Sequence, residues 1–283
     1  MLVLDTIVDK IQTSAKAKNA FIWVRDEPTE DDLNHLKKEG SEPSEFDTNG
    51  LKKQMIQHLA AGKAKLITKS GPYAKVLAVV YPGTKIPWET FAKIFVAFGR
   101  SPSRIPWRVV WFAHPKKREI LSEPFAAVNA NANAEPGPGH VNGGYAYACM
   151  PETIVIYREE EVERVLIHEL LHASCTDNMN KSQEETEVLT ETWAELFLIA
   201  VLANGSKRKA HQLWKIQAQW ISKQEASLIK MGVTSPKSFA WRYTVGRRQV
   251  LEGLGIQLPS SPSPSSPLQE RSISLRFTSP ELL

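Results

Sequence analysis

Cysteine is scarce: Cys149 and Cys175 are the only two in 283 residues. That excludes a disulfide-stapled scaffold and makes a reducing, cytoplasmic setting the expectation, with a single bond between the pair as the exception. Long apolar runs are missing too. None reaches the roughly 20 residues of a membrane helix, and the opening MLVLDTIVDKIQTSAKAK is too polar for a secretory leader. Charge of one sign is also lacking. The 35 basic and 31 acidic residues leave a net +4, spread along the chain, which predicts neither a nucleic-acid nor a membrane partner. Eight tryptophans occur without a basic stripe, so they read as core and not as a base-stacking platform. There are no internal repeats. What remains is an ordinary globular composition, long enough for one large domain or two modest ones.

The apolar periodicity changes character along the chain. An amphipathic helix over 1–18 and a short strand AFIWV precede a polar stretch with one weak helix. LKKQMIQHLAAG has helical spacing, AKVLAVVYPG and WRVVWFA read as buried strands, and PWETFAKIFVAFG is punctuated as a helix by Pro and Gly. A loop over 122–141 leads to two short strands, GGYAYACM and TIVIYR. Helices are predicted over 159–175, 182–203, 207–231 and 236–253. The tail LPSSPSPSSPLQERSISLRFTSPELL is Ser/Pro-rich and predicted to lack order. The expected division is an α/β region over 1–100 (or part of the core), a domain over 101–257 and a disordered tail over 258–283. The fold class is α+β: a mixed sheet in the first half, a helical second half.

The chemistry concentrates in VLIHELLHASCTDN, residues 165–178. His168 and His172 are four apart, so on a helix they share a face one turn apart. Two imidazoles so placed reach one zinc ion, and Glu169 beside the first can serve as general base. The competing reading is a buried helix that contains histidines by chance. A third ligand separates the two.

Several residues could supply it. Glu191 follows His172 after eighteen intervening residues, and Glu195 lies one turn further on. With these, the sequence resembles the gluzincin, or thermolysin-like, zinc metallopeptidases: His-Glu-x-x-His, then a glutamate on a second helix, then an acidic residue one turn on. TETWAELF is similar to the Asn-Glu-x-x-Ala-Glu segment of that group. Thr190 stands where the family has Asn, and Glu195 where it has Asp. The resemblance covers roughly 107–205. It implies a zincin-like core, Zn2+ held by His168, His172 and Glu191, a supporting role for Glu195, and peptide-bond hydrolysis. The segment IVIYREEEVERVLIHELLHA also resembles metallopeptidase-like proteins of large DNA viruses.

The other options fit less well. A metzincin needs Gly and His where Cys175 and Asn178 stand, which leaves Asp177 a small residual role. Cys149 would give a deformylase-like Cys/His/His set, but that family's Gly-rich and Gln-containing segments are missing. Glu184, Glu185 and Glu187 read as helix-start charges, although Glu184 and Glu187 share a face with Glu191.

The resemblance further implies a substrate-binding edge strand before the helix. VNGGYAYACM is the candidate, with Gly143, Gly144 and Tyr145; a plain hairpin with two loop glycines is the equal alternative. For an oxyanion donor the last helix offers Tyr243 and Arg242, with Arg247 and Arg248 also available. His35, His58, His114, His140 and His211 carry no motif. The expected function is zinc-dependent hydrolysis of a peptide or protein substrate by a soluble enzyme. The alternatives are a non-catalytic zincin-fold binding or structural protein, and a zinc amidase acting on a small substrate.

Overall fold

A computed structural model describes residues 2–17, 21–121, 136–178, 180–230, 233, 238–260 and 272–283. Helix α1 (Leu2–Ala17) precedes strand β1 (Val24–Arg25), helices α2 (Glu30–Ser41) and α3 (Leu51–Ala60), and strands β2 (Lys65–Ser70) and β3 (Ala74–Val80). Helix α4 (Trp88–Phe98), strands β4 (Trp107–Phe112) and β5 (Glu119–Leu121), and the short helix α5 (Pro138–Val141) follow. Then come β6 (Gly144–Ala146), β7 (Ile154–Ile156), α6 (Val162–Ala173), α7 (Gln183–Ala203) and α8 (Lys207–Lys230). The last elements are α9 (Phe239–Trp241), a π-helical turn (Arg242–Gly246), α10 (Arg247–Gly253) and β8 (Ser272–Ser274).

Six strands form one mixed sheet in the order β1-β2-β3-β4-β7-β6. β3, β4 and β7 run parallel; the outer pairings are antiparallel. The strands of residues 24–80 supply half of this sheet. β2 was not anticipated, because its KLITKS side chains are mostly half-exposed and carry no apolar signature.

Alternation along the buried strands sends side chains to two faces. Val109 and Trp111 join Phe91, Ile94 and Phe95 of α4 and Leu166, Ile167 and Leu170 of α6 on one face. Val110 and Phe112 meet Leu36, Leu51 and Met55 of α2 and α3 on the other. A third cluster joins α7 to α1 and α8 through Leu196, Ile199, Leu4, Val8 and Trp214. The molecule is therefore α+β with a mixed sheet. Among the described residues, no helix is long and apolar enough to cross a membrane.

The C-terminal expectation is corrected in part. Residues 261–271 lie outside the described residues, but 272–283 are docked. β8 pairs antiparallel with β5, and Leu275, Phe277, Thr278 and Ser279 are buried. The backbone N–H groups of Phe277 and Thr278 donate to the Glu161 carboxylate at 3.2 and 2.5 Å. Gln217 of α8 donates to the Phe277 carbonyl at 2.7 Å and accepts from Ser279 N–H at 2.8 Å. These partners are distant in sequence, and a low apolar content alone does not reveal them.

Candidate metal centre

α6 leaves the sheet directly after β7 and is buried along nearly its whole length, His168, Glu169 and His172 included. α7 lies across it. A capping box between Ser182 and Glu185 starts α7 at Gln183, which places Glu187 early in that helix and Glu191 and Glu195 successive turns deeper.

The Nε2 atoms of His168 and His172 face each other at 3.1 Å. Glu187 presents one carboxylate oxygen 3.5 Å from His168 Nε2 and the other 3.7 Å from His172 Nε2. Donor atoms of these three residues lie within 4.8 Å of one another, close enough to hold a metal ion. A tetrahedral centre with bonds of about 2.0–2.1 Å separates two nitrogens by about 3.3 Å, so the pair has the right span. On the far side of its ring, His172 Nδ1 lies 2.9 Å from both oxygens of Asp177. Nδ1–H donates to that carboxylate, which turns Nε2 towards the cluster.

The glutamate in this group is Glu187, one turn before Glu191 on α7. Glu191 sits behind the cluster, its Oε1 3.2 Å from His168 Nδ1 and its Oε2 against Arg164 Nη2. Arg164, fully buried on α6 one turn before His168, draws Glu191 away from the Nε2 side. Glu195 reaches no histidine in the structure. It lies between Arg164 Nε at 3.5 Å and Arg247 Nη1 at 3.2 Å. The carboxylates beside the two imidazoles are Glu191 at His168 Nδ1 and Asp177 at His172 Nδ1.

Electrostatics follow burial and partners. Burial pushes His168 down to about 4, and Glu187 only partly opposes it. Burial also pulls His172 down, but Asp177, Glu187 and Glu169 outweigh it and raise the group to about 9. Glu169 is raised to about 8, first by burial. Glu187 would be raised by burial, yet the two histidines and Arg242 hold it below the usual carboxylate value.

Cluster and Glu169 line one cavity of about 640 Å3, with β6 on one wall and Arg242, Tyr243 and Phe277 on another. Tyr243 and Arg242 thus both come to the site. Tyr243 sits in the π-helical turn and packs on Phe277 at 5.3 Å between ring centres; Arg242 covers the Phe239 ring at 4.9 Å and lies 3.4 Å from Glu184. Tyr145 lines the cavity too, but its hydroxyl is engaged elsewhere. Its hydroxyl donates to Glu39 at 2.5 Å and accepts from Lys52 at 2.7 Å, which ties β6 to α2 and α3.

β6 is an edge strand beside α6, as anticipated, but its glycines serve the chain's own packing. A methyl group at Gly144 would stand 2.8 Å from the Val155 carbonyl oxygen and 2.9 Å from Glu169 Oε1. One at Gly143 would run into the Arg118 guanidinium. The remaining histidines stay outside the site: His211, for example, meets Asp5 at 2.7 Å, and His58 meets Tyr81 at 2.5 Å.

The two cysteines, expected to be thiols, form a disulfide between the turn after β6 and the end of α6. Both adopt positive φ, 64° at Cys149 and 60° at Cys175, and both donate N–H to the His172 carbonyl, at 3.3 and 3.2 Å. Spacing could not disclose this pairing; the long α6 between the cysteines brings them together. Asp177 as the partner of His172, and Arg164 as the partner of Glu191, were likewise not singled out. Their signal was position: one lies just past the helix, the other one turn before His168.

No protein-family model, curated protein or solved structure compared with this chain matches it.

Proposed function

We propose that this chain is a zinc-dependent hydrolase of peptide bonds, with His168, His172 and Glu187 holding the ion and Glu169 as general base. The carrying observation is the convergence of three donors on one point in the cavity that Glu169 also lines. Three protein donors leave a coordination position open, the arrangement of catalytic zinc sites; structural sites close it with a fourth. Zinc bound there supplies positive charge that polarises a carbonyl and makes a water more acidic.

Glu169 does the proton work. Its carboxylate, packed against Gly144 beside the cluster, takes a proton from the attacking water and passes it to the leaving amine. Asp177 fixes the tautomer of His172, and Glu191, held by Arg164, faces His168 from behind. Tyr243 and Arg242 stand across the cavity as donors for a developing oxyanion. The edge strand β6 along the cavity wall supports an extended peptide as substrate.

The test combines metal analysis with hydrolysis of unfolded protein and peptide mixtures. The expectation is one zinc per chain, turnover abolished by chelator, Glu169→Gln with zinc but without turnover, and His168→Ala without zinc. Undiminished hydrolysis by Glu169→Gln overturns the assignment of the base. Stoichiometric zinc with no hydrolysis of any substrate supports the non-catalytic alternative.

A further inference from the structure

The disulfide touches the proposed metal site at three places. Cys175 lies three residues after His172 and two before Asp177, the carboxylate that holds His172 Nδ1 at 2.9 Å. Cys149 lies three residues after Ala146, the end of the edge strand that walls the cavity. The N–H groups of both cysteines meet on one acceptor, the carbonyl of His172 itself. The covalent bond thus clamps strand turn, helix end and ligand backbone together. The segment it fixes is short, and the Ser174 and Thr176 hydroxyls tie its start to α6 at 2.6 and 2.7 Å. Cys149 and Cys175 are both exposed, and past Thr176 the hydrogen bond to α6 among the described residues is that of Asp177 with His172.

We propose that the Cys149–Cys175 disulfide is a positioning element of the metal site, acting through Asp177 and His172. Closed, it keeps the backbone after α6 in the left-handed conformation that delivers Asp177 to the imidazole. Opened, it frees that backbone, and Asp177 holds His172 only part of the time. Loss of such outer partners commonly costs 10–100-fold in metal affinity, so opening the bond is expected to weaken zinc binding by about tenfold. Opening takes two electrons and two protons. An external dithiol supplies both and becomes a cyclic disulfide, and the protein gains two thiols. The exposure of both sulfur-bearing residues makes them accessible to such a reagent. The inference rests on the metal-site reading above and adds a requirement to it.

The experiment measures zinc affinity by competition with a chromophoric chelator, for the full chain in four forms. These are the oxidised protein, Cys149→Ser/Cys175→Ser, Asp177→Asn, and the triple variant combining all three changes. The reduced protein, desalted anaerobically to remove the dithiol, and its reoxidised product control for effects of substitution. The expected result is about tenfold weaker binding for the double variant and the reduced protein, recovered on reoxidation. In the Asp177→Asn background, removing the cysteines should add little, because the route of the effect is already gone. A clamp that merely stabilised the fold would lower the melting temperature equally in both backgrounds and leave zinc affinity of the folded protein unchanged. Equal affinity of the oxidised and reduced protein overturns the proposal, as does full additivity in the triple variant. If the oxidised protein itself takes up no zinc, it is the metal-site reading that fails.

Discussion

The Nε2 atoms of His168 and His172 stand 3.1 Å apart with the Glu187 carboxylate spanning both. With no ion bound, a proton on His172 Nε2 can bridge to His168 Nε2; a metal ion taken up there would replace that proton and use both lone pairs. Glu187 and Glu191 should therefore respond differently to the same substitution. Glu187→Gln removes a charged donor and is expected to weaken zinc binding by well over 100-fold. Glu191→Gln disturbs only the rear of His168 and should cost about 10–100-fold, the range of outer partners. Chelator competition on both variants ranks them. The opposite ranking would return Glu191 to the place the sequence suggested.

The difference between these two glutamates shows what was legible in the sequence. His168, Glu169 and His172 could be read because their geometry is local: four residues make one helical turn. The third donor depends on how far α7 slides along α6, and a one-turn slide is invisible to spacing. In the proposed set it is Glu187, and Arg164 pairs with Glu191 instead, an interaction between helices. The strands β3, β4 and β7 were legible from their apolar runs, and helices α6 to α8 from period and caps. The half-exposed β2, the β5–β8 pair and the cysteine bond were not, since each depends on partners far away in sequence.

Gly144 gives a stability prediction. Replacement by Ala puts a methyl 2.8 Å from the Val155 carbonyl oxygen and 2.8 Å from Val165 Cγ1. The carbonyl belongs to the strand paired with β6 and cannot step aside. Overpacking of this kind costs about 1–3 kcal/mol. Denaturant unfolding of Gly144→Ala should show that loss, and Glu169, next to the same methyl, should be displaced enough to lower turnover as well.

Asp32 links stability to pH. It closes the capping box of α2 with Thr29 and meets Lys75 at 2.6 Å. Burial pushes its carboxyl up, but Lys75 and the Thr29 donors outweigh it and hold it below the usual 3.8. A carboxyl with a lowered folded value stabilises above its unfolded value and loses that contribution as pH falls through the folded one. The wild type should thus lose stability on acidification below about pH 4. Asp32→Asn, which loses the charge paired with Lys75, should be less stable at neutral pH and should lose less over the same range. Parallel acid curves for the two proteins would refute the assignment.

Phe277 tests whether the C-terminal segment belongs to the cavity. Three buried guanidinium groups surround its ring, those of Arg164, Arg118 and Arg247, at 4.3, 5.3 and 5.7 Å. The ring also packs on Tyr243 and lines the cavity. Phe277→Ala removes a large buried ring and should cost about 3–5 kcal/mol. Phe277→Leu keeps the bulk and loses the ring face; the difference between the two isolates the cation–π part, about 0.5–2 kcal/mol. A chain ending at residue 271 loses the ring together with the two N–H donors to Glu161, and should be less stable than Phe277→Ala. Were that truncated chain as stable as the full one, residues 272–283 would be an appendage, and the cavity wall beside Tyr243 would need a different account.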